Sequence, residues 1–180
     1  ATEYARQQWK TPTAPKPESI TEKQWKQSNE MSYAMYADTY GMIMYRMGQF
    51  KKGLPYAKEA AILIGKGKDA DQNNTYALLA EKVLPAKKLK PELEQFVKDG
   101  KSTGEMKDIL KRIYAGEKKT EDGFDQYITA LQEESRLKIL KDIQKSIISE
   151  TSPAFALVNL DGKKVDIAEL KGKVVVVDFW

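Results

Sequence analysis

The sequence predicts a mainly α-helical protein followed by a short β-hairpin and one further strand. Three observations predict it. Apolar residues recur at helical spacing from about residue 21 to residue 150, among abundant Lys, Glu and Gln. Gly48, Gly65, Gly67, Pro85, Gly100 and Gly116 punctuate that stretch into helix-sized pieces. Beyond Pro153 the pattern changes to β-branched residues around Asp161-Gly162. The expected organisation is an extended arm or linker over 1–20, a helical domain over 21–150 and a β-rich segment over 151–180.

The arm follows from Pro12, Pro15 and Pro17, since proline blocks helix and restricts the residue before it. Trp9 and Tyr4 are the side chains able to anchor it. Thr21-Glu22-Lys23-Gln24 fits a capping box opening a long helix to about Met47, with Gly48 as its C′ residue. A second helix is expected from Lys52 to Ile64, with Leu54, Ala57, Ala61 and Ile64 on one stripe and Gly65 and Gly67 ending it. A third spans about 72–83 and a fourth 86–98, separated by Pro85 and closed by Gly100. Ser102-x-x-Glu105 reads as a second capping box for a fifth helix through Tyr114, ended at Gly116. Thr120 then caps a final helix to about Ser149. Its stripe changes face between Leu131 and Leu137, so it either breaks near Glu134 or packs its halves against different partners.

Composition narrows the chemistry. The 180 residues carry a net charge of +4 with the signs interspersed. Lys87-Lys88-x-Lys90 and Lys118-Lys119 have no aromatic interleaving and read as solvated faces, so no nucleic-acid partner is expected. No run approaches the roughly 20 apolar residues that span a bilayer. With no histidine the commonest metal ligand and general base is missing, and with no cysteine there is no nucleophilic sulfur. Gly65-Lys66-Gly67-Lys68 follows a helix rather than a strand and lacks phosphate-loop spacing. Asp69-x-Asp71-x-Asn73 resembles the start of a calcium loop, but Asn74 and Ala80 occupy its glycine and bidentate-acid positions. Helix caps explain those side chains better. No cofactor or metal is expected. Met31, Met35, Met42, Met44 and Met47, with Tyr33, Tyr36, Tyr40 and Tyr45, crowd the first long helix. The favoured reading is packing on both sides of a central helix; the alternative is an adaptable protein-binding surface.

Two resemblances rest on particular motifs. Tyr40-Gly41, Met44-Tyr45, Gly48-x-Phe50, Gly53-Leu54, Tyr56 and Ala60 resemble the tetratricopeptide pattern, in which small residues let two antiparallel helices approach. Gly53 and Pro55 depart from that pattern. In the tail, Pro153-x-Phe155, Asp161-Gly162-Lys163, Leu170-Lys171-Gly172-Lys173 and Val177-Asp178-Phe179-Trp180 are similar to the start of a thioredoxin-like domain, closest to TlpA-like thiol-disulfide oxidoreductases and overlapping with the AhpC/TSA peroxiredoxins. Val174 to Val177 would be a central strand, buried on both faces. The resemblance implies a Trp-Cys-x-x-Cys motif a few residues beyond Trp180. It also implies that Asp178 is a buried carboxyl that moves a proton for the inner cysteine; the plain alternative is the last polar residue of a strand.

The expected function is thus the N-terminal portion of a bacterial thiol-disulfide oxidoreductase, inactive without the dithiol. The partners implied are protein thiols or disulfides, with the helical region as a surface for a further protein. The resemblance implies a periplasmic or envelope setting with a leader removed. The alternatives are a helical interaction module without catalysis and a peroxiredoxin-like peroxidase. An unpaired Val174–Trp180 edge would pair with a second copy or dock on the helical body.

Overall fold

A computed structural model of the protein describes residues 1–148, 150 and 154–176. These form seven α-helices and one two-stranded antiparallel sheet. Two compact units divide the chain, Ala1–Lys141 and a second beginning at Asp142.

The first correction falls on the expected arm. Residues Thr2–Lys10 form a helix, α1. Pro12, Pro15 and Pro17 all lie after Lys10, so nothing within that segment blocks a helix. Trp9 anchors it by stacking on Tyr33, with ring centroids 5.0 Å apart and planes 12° from parallel. Tyr4, by contrast, stays largely exposed. The buried Gln8 side chain shapes the exit from α1. Its Oε1 accepts from the N–H groups of Thr13 and Ala14, both at 3.0 Å, and its Nε2 donates to Thr13 Oγ1 at 2.7 Å.

Helix α2 (Glu22–Arg46) opens on the capping box read from Thr21 and Gln24. Gly48, at φ +70°, turns the chain into α3 (Phe50–Lys58). A π-helical turn over Glu59–Ile64 continues α3. Helices α2 and α3 are antiparallel neighbours: Gly41 lies against Ala57, and Met44 against Gly53. A β-carbon on Gly53 would stand 2.8 Å from Met44 Cβ and 3.1 Å from the Gly41 carbonyl oxygen. Glycine is what permits this approach.

Helices α4 (Ala70–Val83), α5 (Ala86–Lys98), α6 (Gly104–Lys118) and α7 (Phe124–Ser146) follow. Asp69 caps α4, accepting from the N–H groups of Asp71 and Gln72, each at 3.0 Å. Helix α6 is capped one residue later than expected. Thr103 Oγ1 accepts from Met106 N–H at 3.3 Å, whereas Ser102 caps nothing. Gly116 does not end α6, which continues until Lys119 takes up φ +63°. A glycine inside a helix costs only about 1 kcal/mol, and the helix is held by its packed side, with Ile109 and Leu110 fully buried. Helix α7 does not break near Glu134. Within the first unit its N-terminal half buries Phe124 and Ile128, while Leu137, Ile139 and Leu140 are exposed.

The main core is built from Tyr76, Leu79, Leu89, Leu93, Met106, Ile109 and Leu110. Tyr76 brings its hydroxyl inside and donates it to Glu92 at 2.6 Å, which satisfies a polar group that burial would otherwise penalise. A smaller core of Ala5, Tyr33, Ala34, Ala37 and Ala60 seats α1.

In the second unit, strand β1 (Ala156–Val158) pairs antiparallel with β2 (Lys164–Asp166), placing Leu157 opposite Val165. The expected turn at Asp161-Gly162 joins them, with Gly162 at φ +75°. Asn159 Oδ1 holds it, accepting from Asp161 N–H at 3.0 Å and Lys163 N–H at 2.9 Å. Ile167 leaves the strand for a 3₁₀ turn over Ile167–Leu170. The expected buried strand at Val174 is corrected in its described part. Val174, Val175 and Val176 lie outside any strand, with Val174 97% and Val176 90% exposed. A central strand needs a ladder partner on each side, and the described residues supply none.

Candidate functional site

The one catalytic residue expected from sequence, Asp178, lies outside the described residues, as do Val177, Phe179 and Trp180. The described residues therefore test other candidates. Among them no three acidic residues gather to hold a metal. The calcium-like segment is structural. Asp69 is a cap, and Asn73 is fully buried with its Nδ2 donating to the carbonyls of Gly67 at 2.8 Å and Lys101 at 3.1 Å. That amide ties the loop before α4 to the loop before α6.

The Met- and Tyr-rich helix α2 resolves into two faces. Tyr33, Ala34, Ala37, Gly41 and Met44 recur at helical spacing and are buried. Met31, Met35, Tyr36, Ile43 and Met47 are exposed, so the expectation of core on both sides is too broad. Met31 and Met35 face Ile64, Lys68 and Gln72 across a shallow groove of about 610 Å³. Unbranched thioether side chains adapt to irregular apolar partners.

A cluster of charged and polar side chains around Glu59 departs from the sequence reading. Glu59, in the π-helical turn, receives the Arg6 guanidinium at 2.6 Å, Lys10 Nζ at 3.5 Å and the Tyr33 hydroxyl. Burial opposes ionisation of Glu59, but the Arg6 and Tyr33 hydrogen bonds outweigh it and hold the carboxyl below its ordinary range. Burial, then the hydrogen bond to Glu59, pushes the Tyr33 hydroxyl well above the usual phenol range. Arg6 also lies over the Tyr56 ring, 4.9 Å from its centroid. The sequence signal was a lone acid at the head of the apolar run Glu59-Ala60-Ala61-Ile62-Leu63-Ile64. Its partners lie more than 20 residues away, where no local pattern finds them. The cluster fastens α1 to the helical hairpin.

No protein-family model, curated protein or solved structure matches the chain.

Proposed function

We propose that this chain is the N-terminal portion of a bacterial thiol-disulfide oxidoreductase of the thioredoxin-like class. In this reading a tetratricopeptide-like helical region precedes the first strands of the catalytic domain. The observation that carries it is the order of elements in the second unit. A hairpin turning at Gly162 leads into a 3₁₀ turn over Ile167–Leu170, then Gly172 at φ +84°, then the valine run. The hairpin turn, the glycine stop and the valine run follow in the order of the sequence motifs on which the resemblance rests, and that order supports the reading. The close approach of Gly41 to Ala57 supports the tetratricopeptide-like reading of α2 and α3.

The chemistry would be exchange. A cysteine thiolate attacks one sulfur of a substrate disulfide and expels the other as thiolate, leaving a mixed disulfide. The second cysteine resolves that bond, releasing reduced substrate and an oxidised enzyme pair. Asp178 would hold the proton of the inner cysteine. None of the 180 residues is a cysteine, so this chain by itself exchanges no disulfide. The periplasmic setting belongs to the same proposal.

The residues encoded after Trp180 test it. A Trp-Cys-x-x-Cys sequence followed by insulin reduction by the extended protein supports the oxidoreductase. A lone cysteine in a Pro-x-x-x-Thr/Ser-x-x-Cys setting points to a peroxidase instead. Intact cysteines without turnover of insulin would count against the proposal.

A second reading, an interaction module without catalysis, is favoured by the exposed Met31–Met35 face of α2. Its test is a client pull-down with Met31→Lys and Met35→Lys on the full protein, in which unchanged capture would reject that face.

A further inference from the structure

We infer that a groove formed by α5, α6 and α7 in the first unit captures the free C-terminal carboxylate of a polypeptide with aliphatic terminal residues. The groove has a volume of about 370 Å³, and two cationic side chains, Lys107 and Arg136, line it; among the described residues that line it none carries a carboxylate. Lys107 makes no ion pair among the described residues. Among the described residues Arg136 pairs with the exposed Glu133 alone, at 3.4 Å, and its own side chain is 71% exposed. Its charge is therefore available to a better-placed anion.

The rest of the lining defines what the anion is attached to. Val97, Ile139 and Leu140 supply an apolar wall, of which Val97 is buried while Ile139 and Leu140 are about half exposed. An inorganic anion would leave that wall wet. An aliphatic body beside the charge would cover it.

Polar groups along the groove separate a polypeptide from a simple alkyl acid. Ser102, Gln132 and Ser135 also line it. Ser135 is 93% buried by its 7% exposure, and its hydroxyl makes no hydrogen bond among the described residues. It stands close under Gly100, where an added β-carbon would be 3.3 Å from its Oγ. A backbone amide next to the terminal carboxylate can pair with these groups. A bare alkyl chain would desolvate them without compensation. Charge complementarity thus selects a carboxylate, the wall selects an aliphatic side chain, and the hydroxyls and amide select a peptide backbone.

The test uses the 180-residue chain and a fluorescein-labelled hexapeptide, Gly-Ser-Ala-Leu-Val-Ile, with a free C-terminal carboxyl. Fluorescence anisotropy is expected to show saturable binding that weakens as salt is raised. The same peptide as a C-terminal amide should bind about tenfold more weakly, the loss of one charge-assisted interaction. Lys107→Glu combined with Arg136→Glu should abolish binding with an unchanged far-UV circular dichroism spectrum. Equal affinity for acid and amide would overturn the proposal without relying on any variant. Absence of saturable binding up to about millimolar peptide, the weak end of specific affinity, would also overturn it. Decanoate competing as strongly as the peptide acid would overturn the polypeptide assignment.

Discussion

Met44 and Gly53 meet where α2 packs on α3, and a β-carbon on Gly53 would lie 2.8 Å from Met44 Cβ. Leu79 Cδ2, at 3.0 Å from the same point, closes the third side. Gly53→Ala must push two helices apart, and overpacking outweighs the helix-propensity gain. The expected loss is about 2 kcal/mol in urea unfolding. Gly116→Ala is the matched control, because Gly116 is helical and its β-carbon would meet nothing within 4 Å. It should stabilise by about 0.5 to 1 kcal/mol. Equal effects at the two sites would show that α2 and α3 are not packed this closely.

The Asn73 amide holds two loops at once, through Gly67 and Lys101. Asn73→Ala strips both carbonyls of their side-chain donor in a fully buried site. The expected cost is about 2 kcal/mol, since a lost partner in a dry site costs more than an exposed one. Asn73→Asp should be at least as damaging, because the donor becomes an acceptor facing two carbonyls. Unfolding curves that match the parent would refute the bridging role.

Acid should release α1 before the main core. The Glu59 carboxyl is lowered in the folded protein, so its contribution is present above the ordinary glutamate value of about 4.3 and is lost as pH falls through the lower folded value. The Trp9 indole signal in NMR spectra, sensitive to stacking on Tyr33, should shift on acidification in that window. Glu59→Gln should flatten this response and loosen α1 at neutral pH. A Trp9 signal indifferent to both acid and the substitution would contradict the assignment.

Val174–Val176, the described part of the valine run, have no ladder partner among the described residues. Val174 and Val176 are almost fully exposed, and the hairpin before them is exposed along both strands. Two strands alone are marginal in water. Amides of Val174–Val176 are expected to exchange rapidly in dilute solution and more slowly as concentration rises, in step with dimer formation by light scattering. Exchange independent of concentration, with a monomer throughout, would rule out pairing through these residues.

Local chemistry made much of this protein legible in its sequence. Thr21 and Gln24 satisfy helix-end donors within one turn, Gly48 and Gly100 take positive φ, Pro85 separates two helices, and Asp161-Gly162 turns a hairpin. Each is an interaction between residues close in the chain, so sequence alone determined them. Tertiary structure decided the rest. Helix α1 stands where the prolines nearby argued for an arm, because Trp9 has Tyr33 to stack on and Arg6 has Glu59 to meet. Gly116 stays helical because packed neighbours outweigh its weak propensity. The groove carrying Lys107 and Arg136 joins side chains from three helices. Contacts across such separations depend on which faces pack together, and that is set by burial of the whole core rather than by spacing along the chain.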